Sequence, residues 1–240
     1  MFDFLSKKEY NHIFAVGDIH GMYGKLIKLF DKIPFNPNED MLIFLGDYID
    51  RGKHSLRCLD FVMDFKEKYS DSVVCLLGNH ELCAINYLNY HFNLGDWLDS
   101  LNYTWLDNGG LETQREFLAL PNDEIFRRLD WIKSLPSYYQ IDNYYFCHAG
   151  IRPGIPLSKQ KDVDLLWIRY SFLNNYRGKE TIVVGHTPVQ SYASSDNFAG
   201  KHESKPIFLK NNIIMCDTGS FIVGGKLSCV DVLSKEYWQA

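Results

Sequence analysis

The sequence predicts an α/β fold with two β-sheets, and three observations support this. Apolar runs of strand length end in turns rich in Gly, Asp, His and Asn at five points along the chain. Helical apolar periodicity follows the first two of these turns, as in βαβ units. The chain after residue 206 holds short apolar runs without helical periodicity between them. The first half is therefore expected to form a parallel sheet, and the tail strands a second, largely antiparallel sheet.

The composition indicates one packed domain over residues 1–240. Apolar residues make up 46% of the 240 residues and aromatic residues 15%, which excludes a disordered chain. The formal charge of −5 gives no broad basic surface, so nucleic-acid binding is not expected. The N-terminus lacks a signal-peptide pattern, and no run reaches the ~20 apolar residues of a membrane span. These features predict a cytoplasmic protein that does not bind membranes.

The cysteines carry no metal-binding or redox spacing. None of the six forms a CxxC pair, and most lie in apolar stretches: Cys58, Cys75, Cys83, Cys147, Cys216 and Cys229. Reduced, buried thiols are the favoured interpretation, and a zinc-thiolate site or disulfides are the alternative.

The first half shows strands alternating with helices. A strand over residues 12–16 precedes a helix with apolar residues at Leu26, Leu29 and Ile33, which Pro34 ends. A second strand over residues 41–45 precedes a helix beginning at Ser55, and a third strand covers residues 73–77. Residues 82–136 then form a predicted helical insertion beside the turns that follow these strands, with a break at residues 108–110. Its tryptophans are expected to belong to the core: Trp97, Trp105 and Trp131.

The second half contains a hairpin and further strands. Runs at Tyr138–Ile141 and Tyr144–Cys147 flank Asp142 and Asn143, which predicts a hairpin. Residues 162–176 are predicted to be helical, and Thr181–Val184 a strand. Residues 190–205 are rich in Ser, Asp, Asn, Gly and Lys and are predicted to be a loop that borders the substrate groove. The tail strands are expected at residues 207–210, 213–216 and 227–233.

The five turns suggest a metal centre. They cover residues 17–21, 46–52, 78–81, 148–150 and 185–188. Turns at the carboxyl ends of strands are where open α/β sheets place ligands. Their Asp, His and Asn side chains offer oxygen and nitrogen donors without thiolate, which suits Mn, Fe or Zn. There are more such donors than one tetrahedral ion needs, so two ions roughly 3.5–4 Å apart with a bridging carboxylate are expected.

The five turns carry the sequence blocks GDIHG, GDYIDRG, GNHE, HAG and GHTP, which span residues 17–188. This series resembles the phosphoprotein phosphatase (PPP) family of metallophosphoesterases (calcineurin-like phosphoesterases) in its bacterial and phage branch. The resemblance implies a four-layer α/β/β/α sandwich of two mixed β-sheets flanked by helices. The SAPNY-type segment of eukaryotic members is missing after Pro188, so inferences about their regulatory subunits do not transfer.

The resemblance also implies a metal-ligand set. It assigns the first ion to Asp18, His20 and Asp47. It assigns the second ion to Asp47, Asn79, His148 and His186, with Asp47 bridging. Manganese is the expected metal, with iron and zinc as options.

Four further residues receive catalytic roles from the resemblance. His80 is the implied general acid and Asp50 its orienting partner, because a paired imidazolium keeps its proton nearer neutral pH. Arg51 is expected to bind the substrate phosphate, and Arg169, in a Trp-x-Arg context, matches a second phosphate-binding arginine. Glu81 is expected to support the site without binding metal. The alternatives are that Asp47 and Asp50 cap the following helix and that Arg169 forms a surface ion pair.

The implied function is a protein phosphatase. It would remove phosphate from phosphoserine or phosphothreonine, with phosphotyrosine as an option, by direct attack of a hydroxide held by the two metals. The partner would be a phosphorylated protein or peptide; the oligomeric state is left open. The alternative is hydrolysis of diadenosine tetraphosphate, although relatives with that activity commonly lack the acidic residue equivalent to Asp50. An inactive scaffold is a remote alternative, which the intact His80 and Asp50 oppose.

The remaining histidines are expected to have ordinary structural or surface roles: His12, His54, His91 and His202.

Overall fold

The first sheet is built mainly from the N-terminal third of the chain. The computed structural model describes residues 9–95, 105–193 and 203–240. Its first elements are β1 (Ile13–Val16), α1 (Tyr23–Phe30), β2 (Met41–Phe44), α2 (Ser55–Lys68), β3 (Val73–Cys75) and α3 (Asn79–His91). Strands β1, β2 and β3 are parallel, with Ile13 opposite Met41 and Leu42 opposite Val73. The βαβ pattern of the sequence is confirmed.

The helical segment after α3 is broken where the sequence predicts it. A π-helical turn (Leu106–Gly110) precedes α4 (Leu111–Leu118) and α5 (Asn122–Lys133). Asn108 and Gly109 leave helical geometry, and Gly109 has a φ of 102°. Trp105 is buried in the main core, as expected, whereas Trp97 lies outside the described residues.

The second sheet corrects the expectation for the tail. Its strands are β4 (Tyr138–Ile141), β5 (Tyr144–Cys147), β6 (Thr181–Val184), β7 (Ile207–Leu209) and β8 (Ile213–Met215). Their order among the described residues is β4-β5-β6-β8-β7, with β5, β6 and β8 parallel and only the edge strands antiparallel. A largely antiparallel second sheet was therefore the wrong expectation, and the sheet is mixed.

The last two strands of the chain belong to the first sheet. Strand β9 (Ser228–Asp231) pairs antiparallel with β1, and β10 (Tyr237–Gln239) pairs with β9, which gives the first sheet the order β10-β9-β1-β2-β3 within the described ranges. All four residues of β9 are buried, which fits a strand that lies between two others within the sheet. A short apolar run predicts such burial but carries no signal for its pairing partner.

The two sheets pack face to face under helical layers. Residues from both sheets form one cluster between them, including Ala15, Ile43, Phe146, Val183 and Ile214. The other face of the first sheet packs on α1, α2 and the α3–α5 segment. The other face of the second sheet packs on α6 (Asp162–Trp167) and α7 (Tyr170–Asn175). This is the four-layer sandwich that the resemblance implied.

Two local expectations differ in detail. The stretch predicted to be helical over residues 162–176 is two helices, because Arg169 between them adopts φ −129° and ψ −114°. The predicted loop over residues 190–205 begins inside α8 (Val189–Ala193), and residues 194–202 lie outside the described part of the chain.

The cysteine prediction is confirmed. All six thiols are buried and none forms a disulfide. Burial raises the pKa of Cys75 and of Cys83 to about 12, so these thiols stay protonated and unreactive. Among the described helices, none is both long and apolar enough to cross a membrane.

Candidate metal centre

The predicted site residues come together at the carboxyl ends of the strands. A cavity of about 390 Å³ opens there. Seven of the ten predicted residues line it: His20, Asp47, Arg51, Asn79, His80, Arg169 and His186. The other three, Asp18, Asp50 and His148, are buried and contact residues of this lining.

Asp47 is the common member of two groups of possible ligands. His20, Asp47 and His80 form one group, and Asp47, His148 and His186 form the other, with the ligand atoms of each group within 4.8 Å of one another. The Oδ2 atom of Asp47 lies 3.5 Å from Nε2 of His20 and 3.4 Å from Nε2 of His148. A single carboxylate is thus placed between two sets of nitrogen donors, as a bridging ligand requires.

Asp18 and Asn79 extend these groups. Asp18 Oδ2 is 4.0 Å from Nε2 of His20, and both of its oxygens accept the backbone N–H of His186. Asn79 Oδ1 lies 2.8 Å from Nε2 of His148. Each of these side chains is almost completely buried.

Backbone carbonyl groups orient two of the histidine rings. Nδ1 of His20 donates to the carbonyl oxygen of Ile49 (3.0 Å), and Nδ1 of His148 donates to that of Leu45 (2.8 Å). Because a carbonyl oxygen only accepts, these bonds assign the Nδ1 proton and turn Nε2 toward Asp47. Nε2 of His186 is buried and has no hydrogen-bond partner among the described residues.

The electrostatics of the cluster fit divalent cations. Burial lowers the pKa of His20 to about 3 and that of His186 well below its usual value, so both rings are neutral and offer lone pairs. Burial and the nearby Asp217 raise the pKa of Asp18 well above its usual range. For His148, the attraction of Asp47 outweighs burial and raises the pKa to about 9. Buried carboxylates, neutral imidazoles and an unpartnered ring nitrogen are a donor set that two cations would satisfy.

The site residues occupy strained backbone positions. Five of the predicted site residues have φ between 49° and 74°: His20, Asp47, Asp50, Arg51 and His186. This left-handed region costs roughly 1–2 kcal/mol for a residue with a Cβ. The strain therefore persists only because neighbouring groups hold the turns.

Glu81 is the group that holds the turn after β2. Its two carboxylate oxygens accept four backbone N–H groups, from Asp47 (2.8 Å), Tyr48 (2.8 Å), Ile49 (3.3 Å) and Gly78 (3.1 Å). It thus supports the turn through the backbone, as its expected supporting role requires. Gly46, with φ 99°, allows the close approach, since a Cβ there would lie 2.7 Å from Gly78.

His80 and Asp50 form a buried pair beside Asp47. Nδ1 of His80 donates to Oδ2 of Asp50 at 2.5 Å, and Nε2 of His80 lies 4.0 Å from Oδ2 of Asp47. Burial alone would lower the pKa of His80, but Asp47 and Asp50 outweigh it and raise the pKa. The ring therefore holds a proton toward neutral pH with Nε2 at the cavity.

Two arginines complete the cavity. Arg51 donates to Oδ1 of Asn108 (2.8 Å), and its guanidinium lies 4.2 Å from the ring centre of Phe221. Arg169 donates to the carbonyl oxygen of His186 (2.9 Å) and to Oγ1 of Thr187 (3.3 Å). Both arginines line the cavity, where planar N–H donors suit an anion.

Sequence reasoning missed Asp217. This residue is buried, lines the cavity, and leaves Oδ2 without a hydrogen-bond partner in the described ranges. The signal was present, since the apolar run at residues 213–216 leads into Asp217, Thr218 and Gly219 as a sixth strand-to-turn block.

Comparisons with known proteins identify the family. A model of the family described as calcineurin-like phosphoesterase matches residues 12–216. Serine/threonine-protein phosphatase 1 of Salmonella typhimurium is 30% identical over 197 residues, which cover 78% of this chain and 83% of that protein. Serine/threonine-protein phosphatase 2 of the same organism is 30% identical over 234 residues, which cover 90% of each chain.

A solved structure shares the fold. It is described as a candidate diadenosine tetraphosphatase, and it aligns with a TM-score of 0.64 at 20% identity, covering 95% of this chain and 92% of that one. The family match extends over most of the chain, and the Salmonella relatives are matched over nearly their whole length. The chain therefore belongs to the calcineurin-like phosphoesterase family of metal-dependent hydrolases.

Proposed function

We propose that this enzyme is a protein phosphatase that hydrolyses phosphoserine and phosphothreonine in proteins or peptides, with phosphotyrosine as a further substrate. The observation that carries this proposal is the buried His80–Asp50 pair, whose other ring nitrogen, Nε2, lies at the cavity 4.0 Å from Oδ2 of Asp47 and 3.4 Å from a guanidinium nitrogen of Arg51. The names of the two Salmonella relatives support the same substrate class.

Two divalent ions fit the ligand groups, and we propose manganese for both. Asp18, His20 and Asp47 would hold one ion. Asp47, Asn79, His148 and His186 would hold the other. When bound, such ions supply positive charge for a phosphoryl oxygen and lower the pKa of water toward neutrality.

The arginines bind and orient the phosphate in this proposal. Arg51 and Arg169 both reach the cavity, and their forked donors match the equatorial oxygens of a phosphate. The hydrogen bond from Arg51 to Asn108 and the bond from Arg169 to His186 hold the two guanidinium groups before substrate arrives. Less side-chain ordering then remains to oppose binding.

His80 supplies the proton that the leaving oxygen needs. The alkoxide of serine or threonine is a poor leaving group from phosphorus, so an acid positioned to protonate its oxygen contributes typically 10²–10⁴-fold. Nδ1 is occupied by Asp50, which leaves Nε2 as the nitrogen that transfers its proton toward the cavity. The raised pKa of His80 supports a protonated ring near neutral pH.

The test measures initial rates with Mn(II) on matched phosphoserine, phosphothreonine and phosphotyrosine peptides and on diadenosine tetraphosphate. We expect the peptides to be preferred and His80→Asn to lose most turnover while it retains metal. Preference for the dinucleotide would contradict the protein-phosphatase proposal, but it would not contradict the assignment of the chain to a family of metal-dependent hydrolases. Full activity of His80→Asn on the phosphoserine peptide would remove His80 from the mechanism.

The cellular setting is also part of the proposal. Six buried, reduced thiols fit the reducing cytoplasm, where phosphorylated proteins would be the partners.

A further inference from the structure

Asp50 binds two donors through one oxygen. Its Oδ2 accepts Nδ1–H of His80 at 2.5 Å and Nε1–H of Trp105 at 2.6 Å. Its other oxygen, Oδ1, is buried without a hydrogen-bond partner in the described part of the chain. A carboxylate with a free oxygen can rotate, and the indole donor is the contact that keeps Oδ2 rather than Oδ1 toward His80.

The Trp105 ring is itself held rigidly. It is 1% exposed, packs against Tyr87 with ring centres 5.3 Å apart, and lies over Gly110, where an added Cβ would be 2.5 Å from the ring. An indole has one polar atom, which only donates. The ring can therefore offer its N–H to Asp50 and to nothing else without repacking the core.

The backbone of Asp50 is held from the same region. Its N–H donates to Oγ of Ser55 (2.8 Å) and to Oγ1 of Thr113 (3.1 Å), and Thr113 donates in turn to Ser55 (2.7 Å). Asp50 has a φ of 74°, so these bonds stabilise a conformation that the residue would otherwise leave. Residues 105 and 113 both belong to the helical segment that follows α3.

We propose that Trp105 is a positioning residue for proton donation, because it locks the Asp50 carboxylate and thereby fixes the His80 ring toward the cavity. This inference rests on the proposed phosphatase function. Trp105 does not line the cavity and acts only through Asp50. It links the helical elements over residues 105–133 to the chemistry of the site.

The expected signature is a selective loss on poor leaving groups. Trp105→Phe keeps the ring volume and removes the donor. We expect kcat on a phosphoserine peptide to fall about tenfold, the effect of losing one directed contact, and kcat on p-nitrophenyl phosphate to fall no more than about threefold, because its leaving group needs little protonation. Metal content and KM should stay near wild type. Trp238→Phe, a partly buried tryptophan of β10 that packs on Phe14, is the matched control.

Two further variants separate positioning from simple destabilisation. In an Asp50→Asn background, Trp105→Phe should add less than about twofold, since the two residues act as one unit. Gly110→Ala keeps every polar group but pushes the Trp105 ring, and it should reproduce the selective loss. It also carries the kinetic test if Trp105→Phe does not fold. An equal loss on both esters, or no loss, would overturn the proposal.

A spectroscopic measurement is independent of turnover. The proton shared by His80 and Asp50 should give a low-field ¹H resonance in the zinc-loaded protein, and Trp105→Phe should shift or broaden it whereas Trp238→Phe does not. Wild-type protein that hydrolyses neither ester would refute the proposed function alone, and the resonance would still decide the role of Trp105. An unchanged resonance would overturn that role.

Discussion

The turns after β2 and β6 both carry a metal-ligand candidate in left-handed geometry, yet they are held in different ways. Asp47 has a φ of 53° and His186 a φ of 60°. The turn after β2 is held by Glu81, which does not line the cavity. The turn after β6 is held by Asp18, whose carboxylate accepts the His186 N–H, and by Arg169, which binds the His186 carbonyl.

The difference separates two ways of stabilising a strained site. The first turn is stabilised mainly by Glu81, which we do not propose to bind metal or phosphate, although His20 and His148 add bonds to the carbonyls of Ile49 and Leu45. Its shape should therefore depend less on what occupies the cavity. The second turn is stabilised by residues that we propose to bind metal and phosphate, so its shape should depend on occupancy. The turn after β2 is therefore expected to be preformed, and the turn after β6 is expected to change its conformation when metal or phosphate binds.

The largest effect is expected from removing the residue that joins the two sides. Asp47→Asn loses the shared charge of both ligand groups, so we expect turnover to fall roughly thousandfold or more, about 4 kcal/mol of transition-state stabilisation. Metal content, measured by mass spectrometry, should fall below two ions per chain. Asp60→Asn, at a half-buried acid paired with Arg128 outside the cavity, is the control and should keep both properties. Two bound ions in Asp47→Asn would show that the sides are independent.

Glu81 should matter to stability more than to the chemistry. In Glu81→Gln, an amide N–H₂ replaces one acceptor and faces buried backbone donors, so we expect unfolding to be easier by about 2–4 kcal/mol, measured in urea. The activity of the molecules that remain folded should fall in proportion to lost metal. Unchanged stability with lost activity would show that Glu81 acts in the chemistry of the site, like the residues that hold the turn after β6, and would contradict the difference between the two turns.

Arg169 should show the opposite behaviour. Arg169→Lys keeps the charge but loses the planar fork, so kcat/KM should fall roughly 10–100-fold while the free energy of unfolding changes by less than about 1 kcal/mol. Arg177→Lys, at an arginine that donates to the adjacent carbonyl oxygen of Tyr176, is the control. A large loss of stability in Arg169→Lys would instead make the two turns alike.

Metal removal should loosen the second turn more than the first. Without cations, Asp18 has a pKa well above its usual range because of burial and Asp217, so it accepts the His186 N–H less strongly. We expect deuterium uptake around residue 186 to rise about tenfold on chelation, and uptake around residue 48 to change less than about twofold. Equal uptake at both turns would contradict a preformed first turn.

The smallest effect is expected far from both turns, at the pair formed by His12 and Asp231. Hydrogen bonding to Asp231 raises the pKa of His12, while burial of Asp231 is outweighed by its hydrogen bonds and its pKa is lowered. The pair should stabilise the fold fully between about pH 4 and 6.5. This stabilisation should be lost as pH rises through the raised pKa of His12 and as pH falls through the lowered pKa of Asp231. Because His12 is 42% exposed, His12→Gln should cost less than about 1 kcal/mol within that window. A larger cost would show that β1 depends on this pair.

The sequence indicated which turns lie together better than it predicted how the strands pair. Each of the five blocks is local, so the strand and the turn residue it delivers can be identified from neighbouring residues alone. The partners that hold the turns are distant: Glu81 reaches Asp47 across 34 positions and Trp105 reaches Asp50 across 55. Such contacts leave no periodic signal. For the same reason the pairing of β9 with β1 could not be read from its apolar run.

The left-handed residues of the cavity also set a limit on engineering. At Asp47 and His186, glycine or asparagine would adopt the observed φ at lower cost than the native side chain. A library selected for thermal stability alone should therefore drift toward those residues and lose the ligands. Selection for a more durable enzyme must score turnover in every round, because at these positions stability and catalysis ask for different amino acids.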